Sequence, residues 1–493
     1  LNIAWTSLEP QYASVESLGG GNARIDPAYP GRARVVAQAG PLADTVVVRV
    51  IHDIIYVEVM PFRLRAMVGD SIVFSAVGRS ADGALRWAPV SWSVEGSAMT
   101  LTVVDSARAI GRMVAPGVVT VEATVGWEPV QSGSVQIEGV TSSSLASVSA
   151  GEGHNCALTS AGKAYCWGSN FNEFTGTDTY DGCPFAECNT TPMPLRAGLT
   201  FAALATGHMA TCGITTAGPT WCWGHNYSGQ LGTGTSSQLT IREPEQVVGG
   251  HQFTQLALGG SHSCALDGQG TAYCWGRNAW GELGTGTGRD HHAPAPVAGG
   301  RTWKQLAAGD VRTCGITTAD EAFCWGAYLS DVPRRVPQAP VFTTITAGWE
   351  HQCGLAVDGQ AYCWGLSDDG GLGRGSTELD GDSVPEPVVG GRRFVAIDAG
   401  YSFTCALDAA GAAWCWGSDE DGKLGNGGAD AASGVPTRVA GGHVFRSIQA
   451  GREHACATTG DGSVFCWGRG YWGLLGNGSR EDSPVPTRVS AVP

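Results

Sequence analysis

Short runs in which apolar and polar residues alternate recur along the C-terminal two thirds of the chain. FVAIDAG ends at Gly400 and FRSIQAG ends at Gly451, and each is followed by a stretch with two cysteines ten positions apart. Alternation with a period of two is typical of half-buried strands, and the 3.6-residue period of an amphipathic helix is not found. The pattern therefore predicts an all-β protein made of short strands and turns.

A thirteen-residue motif that begins with cysteine and ends with Cys-Trp-Gly occurs seven times. One copy, CALTSAGKAYCWG, runs from Cys156 to Gly168, and most copies are followed by a glycine-rich turn such as GQLGTG at 229–234 and a closing run such as VPTRVAGG at 435–442. Each repeat thus contains four predicted strands. A four-stranded sheet repeated around an axis is a β-propeller, so the repeats predict a seven-bladed β-propeller over residues 145–493.

Two of the repeats depart from this pattern after their Trp-Gly. The first lacks the LGxG turn and carries the insertion TGTDTYDGCPFAECNTTP, and the fourth continues as AYLSDVPRRVP and has lost the whole turn. The region after Trp-Gly therefore tolerates variation.

The residues CxxxxxxxxxCWG followed by GxLGxG resemble the repeat of the regulator of chromosome condensation family. The resemblance covers residues 145–493 and implies the detailed blade geometry of that family's seven-bladed propeller. The Trp-Asp signature of other propellers is replaced here by Trp-Gly.

The N-terminal third has the pattern of β-sandwich modules. Residues 51–139 contain alternating runs such as VSWSVEG and GVVTVEATVG, with Trp92 as a candidate core residue, and they resemble bacterial immunoglobulin-like domains of cell-surface proteins. Residues 1–50 repeat the second half of the same pattern, because Trp5 corresponds to Trp92. We expect a partial immunoglobulin-like domain that lacks its first strands, and residues 140–144 are the predicted linker to the propeller.

Two interpretations of residues 1–50 remain open. The chain, which begins at Leu1 without a signal peptide, is a piece of something longer, or a neighbouring copy supplies the absent strand and builds a filament by strand addition.

Composition excludes several functional classes. The 30 basic and 45 acidic residues give a net charge of −15, which argues against a nucleic-acid partner, and no apolar run is long enough to span a membrane. HExxH, GxSxG and P-loop motifs are absent, and no clustered carboxylates of a glycan-cleaving propeller are evident in the repeats. We expect no enzyme activity, no cofactor and no metal site.

The cysteines predict a ladder of local disulfides. Each motif places its two cysteines opposite each other in a hairpin, and two further cysteines lie in the insertion, so none is left over. Buried free thiols and metal ligation are the alternatives, but isolated pairs around a ring do not converge as zinc ligands do. Disulfides indicate an oxidising compartment. The predicted pairs are Cys156–Cys166, Cys183–Cys188, Cys212–Cys222, Cys264–Cys274, Cys314–Cys324, Cys353–Cys363, Cys405–Cys415 and Cys456–Cys466.

Two further sets of residues recur at fixed repeat positions. Histidine precedes the first cysteine by two residues in four repeats, at His154, His262, His351 and His454, and we expect these side chains to build the blades rather than bind metal. The loops between strands one and two and between strands three and four share one face of a propeller and collect aromatic residues and arginine, which are common in binding hot spots. The predicted partner-binding face contains Tyr227, Trp280, Tyr328, Trp349, Tyr401, Arg452, Tyr471 and Trp472. The alternative is that these side chains cover blade edges.

Together these features predict an extracellular or cell-surface protein of bacterial type, non-enzymatic, whose propeller binds a protein, a glycan or its own copies from an immunoglobulin-like stalk. Two other functions are considered: a guanine-nucleotide exchange regulator of a small GTPase, as the family name implies, and a secreted propeller that inhibits an enzyme.

Overall fold

The computed structural model describes residues 4–11, 13–19, 22–27, 31–39, 42–50, 54–60, 63–67, 71–80, 85–86, 90–105, 107–115, 117–125, 131–140, 145–171, 175–177, 188–378, 380–428, 431–490 and 492. The chain divides into two compact units, Leu1–Val140 and Thr141–Pro493. The described residues are organised in strands, and they include no helix that is long and apolar enough to cross a membrane.

The first unit contains fourteen described strands. They are β1 (Ala4–Ser7), β2 (Ala13–Gly19), β3 (Asn22–Pro27), β4 (Gly31–Ala39), β5 (Leu42–Val50), β6 (Ile54–Met60), β7 (Arg63–Met67), β8 (Ser71–Ser80), β9 (Leu85–Arg86), β10 (Val90–Glu95), β11 (Met99–Val103), β12 (Arg108–Met113), β13 (Gly117–Val125) and β14 (Gln131–Val140).

Two of the sheets in this unit share one core. The sheet β10-β13-β14-β7 and the sheet β11-β12-β8-β6 supply the apolar residues of a single buried cluster, among them Phe74 and Ile137, because their inward positions alternate with exposed ones. Trp92 packs against this cluster with its ring 6.4 Å from that of Phe74, as its place in the sequence predicts.

The strands of the first fifty residues repeat part of this arrangement. The sheet β1-β4-β5 has the order of β10-β13-β14, and Trp5 pairs with Ala37 as Trp92 pairs with Ala123. The hairpin β2-β3 lies between β1 and β4 in the chain, as β11-β12 lies between β10 and β13. The predicted correspondence between Trp5 and Trp92 is therefore also a correspondence of strand pairing, while completion of this segment by a neighbouring copy stays a prediction.

The second unit contains seven consecutive four-stranded antiparallel sheets within its described residues, which we name blades 1 to 7 in chain order. Blades 1 to 3 contain β15 (Leu145–Ala150), β16 (His154–Thr159), β17 (Ala164–Ser169), β18 (Cys188–Pro194); β19 (Phe201–Thr206), β20 (Ala210–Thr215), β21 (Thr220–Asn226), β22 (Ser237–Gln246); and β23 (Phe253–Leu258), β24 (His262–Asp267), β25 (Ala272–Gly276), β26 (His291–Pro296).

Blades 4 to 7 contain β27 (Trp303–Ala308), β28 (Arg312–Thr317), β29 (Ala322–Gly326), β30 (Ser330–Arg335); β31 (Phe342–Ala347), β32 (His351–Ala356), β33 (Ala361–Ser367), β34 (Asp380–Pro387); β35 (Phe394–Ala399), β36 (Phe403–Asp408), β37 (Ala413–Gly417), β38 (Ser433–Arg438); and β39 (Phe445–Ala450), β40 (His454–Thr459), β41 (Val464–Gly468), β42 (Ser483–Arg488). Short 3₁₀ turns lie at Glu420–Gly422, Ala440–Gly442 and Tyr471–Gly473.

The first strands of the blades form a closed ring around an axis. Each first strand contacts the first strand of the next blade, and β39 of blade 7 contacts β15 of blade 1. At the end of each of these strands stands a glycine, and a Cβ atom on any of the seven would come well inside van der Waals contact with the carbonyl oxygen of the next glycine in the ring. We name these residues, Gly151, Gly207, Gly259, Gly309, Gly348, Gly400 and Gly451, the glycine ring. The Ala-Gly motif thus provides the close backbone approach that the axis requires.

Adjacent blades are also joined by hydrogen bonds to the glycine-rich turns. The indole N–H of the Cys-Trp-Gly tryptophan donates to a backbone carbonyl in the turn of the preceding blade, for example from Trp275 to Gln230 O at 2.9 Å and from Trp416 to Gly371 O at 2.9 Å. Six tryptophans make this bond: Trp167, Trp223, Trp275, Trp325, Trp416 and Trp467. The bond pairs a buried donor with a buried acceptor, so the turns are structural parts of the blade junctions.

The two irregular repeats differ in whether they supply a backbone carbonyl to the tryptophan of the next blade. In blade 1, the carbonyl of Thr175 accepts the bond from Trp223 at 3.1 Å although the sequence there reads FTGT, so the first repeat has retained the turn's role without its LGxG sequence. In blade 4, β29 connects to β30 through a tight turn closed by the bond from Leu329 N to Gly326 O at 3.0 Å. Blade 4 therefore has no turn to offer to Trp364 of blade 5.

The four motif histidines connect neighbouring blades, as expected for side chains that build the fold. Each ring Nε2 bonds to a polar side chain of the following blade: His154 to Thr211 at 2.6 Å, His262 to Thr313 at 2.8 Å, His351 to Thr404 at 2.9 Å and His454 to Asn155 at 2.7 Å. Thr313 in turn donates to Glu282 O, the same carbonyl that Trp325 uses. Burial lowers the histidine pKa values, to about 3 for His154 and about 4 for the other three.

The glycine ring predicts a large effect of a single methyl group. Gly309→Ala should lower the free energy of unfolding by about 1–3 kcal/mol, because the new Cβ meets the backbone oxygen of Gly348 and neither can move without opening the axis. Urea denaturation measures the loss. The matched control is Gly288→Ala, where a Cβ would meet open space and stability should change little. Equal effects of the two substitutions would contradict the role of the ring.

Buried neutral histidines predict a loss of stability on acidification. Their folded pKa values lie below the ordinary 6.5, so between pH 6.5 and about 4 the unfolded chain binds more protons and stability falls as the pH falls. At pH 5 each of these histidines lowers the free energy of unfolding by about 2 kcal/mol relative to pH 7.5. Asp398 acts in the opposite direction, because burial raises its pKa to about 6.

Comparing a variant with the parent chain isolates one histidine. His262→Gln should flatten the dependence of the urea midpoint on pH between 7.5 and 5, since one proton fewer is bound on unfolding. An unchanged slope would show that His262 is not held neutral.

Candidate functional site

The two predicted loop sets lie on one face because hydrogen bonds connect them in the blades. The residue that follows each Cys-Trp-Gly donates its N–H to a carbonyl of the loop between strands one and two, as from Arg277 to Ser261 O at 2.9 Å and from Arg469 to Glu453 O at 3.0 Å. We call the surface formed by these two loop sets the loop face. The antiparallel strand order places the other loops at the opposite ends of the strands.

Directly after the glycine ring, one residue of each blade surrounds the axis. These residues are Glu152, His208, Gly260, Asp310, Trp349, Tyr401 and Arg452, and we name them the axial ring. They line a cavity of about 90 Å³ at the centre of the loop face.

One part of the axial ring is an ionic cluster. The Glu152 carboxylate accepts a hydrogen bond from Arg452 at 3.1 Å and lies 3.2 Å from His208 Nε2. Burial raises the pKa of Glu152, while the neighbouring His208 and Arg452 act to lower it. The carboxylate thus lies between the side chains of His208 and Arg452 from the adjoining blades and serves as the acceptor for Arg452.

The other part of the axial ring is aromatic. Trp349 stacks on Tyr401 with ring centroids 4.2 Å apart, and its indole N–H donates to Asp310 at 3.1 Å. The guanidinium of Arg452 lies over the Tyr401 ring at 4.7 Å and so joins the aromatic part to the ionic cluster. Contacts therefore run around the ring from Asp310 through Trp349 to His208, and Gly260 is the one position without a side chain.

This arrangement corrects the expectation about carboxylates. The sequence shows no cluster of them, whereas the structure brings Glu152 and Asp310 to the same cavity. Both act as hydrogen-bond acceptors for side chains of the ring, Glu152 for Arg452 and Asp310 for Trp349. The two carboxylates therefore hold neighbouring side chains of the cavity in fixed positions.

The remaining predicted residues form separate aromatic contacts around the axial ring. Trp280 and Tyr328 of neighbouring blades stack at 6.2 Å and are 52% and 78% exposed. Tyr471 contacts Trp472 at 4.7 Å, and Tyr227 contacts His225 at 4.9 Å. Exposed aromatic rings that touch one another are held ready to contact a partner at small cost in side-chain entropy.

The structure thus brings Trp349, Tyr401 and Arg452 together at the axis and places the other five predicted residues in pairs farther out. The sequence already assigns Glu152, His208 and Asp310 to the same loop set, but the predicted partner-binding face did not include them, because its members were chosen as aromatic residues and arginine. Aromatic and arginine content alone does not identify them; their repeat position does.

The cysteine motifs have the geometry of disulfides. The two cysteines of each motif are registered partners of adjacent antiparallel strands with Cα atoms 4.1 Å apart, and their side chains are buried. Cys188 is also disulfide-bonded, and Cys183 lies outside the described residues. No group of three or more potential metal ligands is found in the part of the chain that the structure describes.

Each disulfide closes a loop of about ten residues and should add about 2–3 kcal/mol to the free energy of unfolding. The double variant Cys405→Ala/Cys415→Ala is expected to lose this amount in urea denaturation, and reduction of the parent chain should lower its midpoint further. If thiol alkylation of the unreduced protein, followed by mass spectrometry, labels the fourteen motif cysteines, the pairs are not oxidised.

A ring of four-stranded antiparallel blades, joined by inner strands and by a repeated turn, defines an all-β propeller. Two sequence models, both described as the regulator of chromosome condensation (RCC1) repeat, match the second unit. One matches residues 217–266, 269–316, 358–407 and 461–493, and the other matches residues 145–173, 253–281, 342–370, 394–423 and 445–471. The chain belongs to the RCC1 repeat family, which confirms the resemblance of residues 145–493 to the repeat of that family.

Two plant proteins from Arabidopsis thaliana are among the relatives. The ultraviolet-B receptor UVR8 is 30% identical over 72% of this chain and 72% of its own length. The mitochondrial RCC1 domain-containing protein RUG3 is 29% identical over 57% of this chain, and the match spans 56% of the length of that relative.

A solved structure supports the fold. Prp20p from Saccharomyces cerevisiae, described together with its binding properties to Gsp1p and histones, matches 63% of this chain and 81% of its own with a TM-score of 0.56 and 22% identity. At this identity the likeness establishes the propeller fold alone.

Proposed function

We propose that this protein is a non-enzymatic, protein-binding regulator or scaffold that recognises its partner through the loop face. The observation that carries the proposal is the axial ring, where Trp349, Tyr401 and Arg452 are fixed by one another and by Glu152 and Asp310 at the centre of the face. Tryptophan, tyrosine and arginine at the centre of a surface are the residue types that contribute most to protein–protein binding.

The surroundings of the axial ring support a protein partner. Exposed Tyr227, Trp280, Tyr328 and Tyr471 extend the face outward and offer large apolar areas with polar ends. The family relatives include a receptor, and the fold is similar to that of a protein described as binding Gsp1p and histones. A glycan remains the second kind of ligand for an aromatic surface of this type.

The proposal includes an oxidising compartment. Buried, registered cysteine pairs in every blade favour a secreted or cell-surface protein, since such bonds do not persist in a reducing cytosol. In this proposal the propeller has seven blades, and the two-sheet module of the first unit is an immunoglobulin-like stalk of bacterial type. Strand addition at residues 1–50 would convert the stalk into a filament.

A second function is nucleotide exchange on a small GTPase. The fold similarity to Prp20p, described with its binding properties to Gsp1p, favours it. The net charge of −15 and the cysteine pairs weigh against a role in the nucleus, where phosphate backbones are abundant and thiols stay reduced.

Variants of the axial ring test the proposal. Trp349→Ala, Tyr401→Ala and Arg452→Ala should each weaken partner binding at least tenfold while the circular dichroism spectrum and the melting temperature stay near those of the parent chain. Partners are first identified by chemical cross-linking and quantitative mass spectrometry in the native host, and affinities are then measured with the purified partner.

The matched control is Val357→Ala, which changes a 72% exposed apolar residue in the loop between strands two and three of blade 5, away from the loop face. If the three variants retain full affinity, the loop face is not the binding surface. Release of labelled GDP from Gsp1p, accelerated by the parent chain and not by Arg452→Ala, would instead support the exchange function.

A further inference from the structure

The junction between blades 4 and 5 contains a groove that the regular junctions do not leave open. It has a volume of about 450 Å³ and is lined by residues of both blades, including Tyr328, Val336, Gln352, Trp364 and Leu366. The groove lies where blade 4 lacks its glycine-rich turn. It is distinct from the axial ring, and the inference drawn from it does not depend on the proposed function.

At regular junctions a turn of this chain fills the corresponding space. The backbone carbonyl before the turn leucine accepts two hydrogen bonds from the following blade, as Gly371 O does from Trp416 at 2.9 Å and from Thr404 at 3.1 Å. The turn leucine is buried, with Leu231, Leu283, Leu372, Leu424 and Leu475 at most 1% exposed. A turn thus supplies one carbonyl and one apolar side chain to each junction.

The glycine after that leucine is required by contact with the next tryptophan. A Cβ atom on it would lie only 2.5–2.9 Å from the indole Nε1, and this holds at Gly232, Gly284, Gly373, Gly425 and Gly476. The occupant of a regular junction is therefore a Leu-Gly turn, and a larger residue after the leucine would not fit.

Both donors of blade 5 remain in place although the turn is gone. Trp364 is 3% exposed and stacks on Phe342 of its own blade, but no acceptor among the described residues bonds its indole N–H. Gln352 stands at the position of Thr404, is 1% exposed, and its side-chain Nε2 has no hydrogen-bond partner among the described residues. Two buried donors that converge on one carbonyl elsewhere thus line an open groove.

A third donor has been removed where it would have been left unpaired. In regular blades the residue after the closing valine donates its N–H to the turn glycine, as Val389 does to Gly373 O at 2.9 Å. In blade 4 that position is Pro337, which has no N–H. Blade 4 is therefore adapted to the loss of its own turn, whereas blade 5 keeps the donors that a turn would satisfy.

We propose that the groove between blades 4 and 5 binds a Leu-Gly turn of a partner protein, whose backbone carbonyl accepts hydrogen bonds from Trp364 and Gln352. The leucine of the partner fills the space of the absent turn leucine, and its glycine lies on the indole ring of Trp364. Exposed Arg334 and Arg335 at the rim favour a turn that carries a carboxylate.

The probe is a fluorescein-labelled cyclic peptide with the sequence of residues 278–287, NAWGELGTGT, which is the acidic turn that fills the junction between blades 3 and 4. Fluorescence anisotropy with the full chain should show saturable binding. The same peptide with valine in place of its Leu-Gly glycine is the matched control and should not bind. The absence of saturable binding at about 1 mM peptide, or equal binding of both peptides, would overturn the proposal.

Variants of the groove identify the two donors. Trp364→Phe and Gln352→Ala should each weaken peptide binding about five- to tenfold, because each removes one hydrogen bond to the carbonyl. Trp364→Phe should keep the melting temperature of the parent chain, whereas Trp325→Phe, which breaks the bond to Glu282 O, should lower the melting temperature and leave peptide binding unchanged. Unchanged affinity in Trp364→Phe would contradict the assignment.

A grafted turn provides an independent measurement. A chain with residues 277–290 in place of residues 327–329 carries its own turn in blade 4, and it should have a raised melting temperature and no peptide binding. If the grafted chain still binds the peptide, the peptide does not occupy this groove. Concentration-dependent association of the parent chain that the graft abolishes would show that a second copy, not a separate partner, occupies the groove, and would overturn the proposal in this form.

Discussion

The propeller depends on a hydrogen bond that six of its seven motif tryptophans donate to a turn of the preceding blade. The donor is a buried indole and the acceptor is a backbone carbonyl, so the bond stabilises the junction only if the turn reaches the neighbouring blade. This explains why Trp-Gly and LGxG occur together in the sequence, although they contact different blades. The repeat is thus a unit of sequence, whereas the unit of packing is the junction between two repeats.

Because the acceptor is a backbone atom, the junction tolerates changes of side chain but not loss of the turn. Thr175 serves in blade 1 within a sequence that no longer reads LGxG, since any residue presents a carbonyl. In blade 4 the turn itself is missing, and the consequences extend to both sides of the junction, with Pro337 on one side and, on the other, Trp364 beside the unpaired Nε2 of Gln352. An irregularity in one repeat therefore becomes a surface feature between two.

The sequence predicts those features that arise within one hairpin. Cysteines at both ends of a motif are registered partners because a hairpin has one register, and the blade order follows from repetition alone. Contacts between repeats are not predictable in this way. The cavity that joins Glu152 to Arg452 brings together residues three hundred positions apart, and repetition alone does not show that two carboxylates there accept hydrogen bonds from neighbouring side chains. The groove at Trp364 was not predicted from the sequence either, because the loss of a turn from one repeat changes the surface of the next repeat.

The axial ring illustrates how a narrow axis selects surface chemistry. The glycine ring brings seven backbones so close that the residue after each glycine must point into a shared small cavity. Side chains that are crowded into such a space are stable only if they form favourable contacts with one another. Here Glu152 contacts His208 and Arg452, and Trp349 stacks on Tyr401. The resulting surface is rigid before any partner arrives. Rigidity of this kind reduces the entropy lost on binding, so the constraint that closes the fold also favours recognition at its centre.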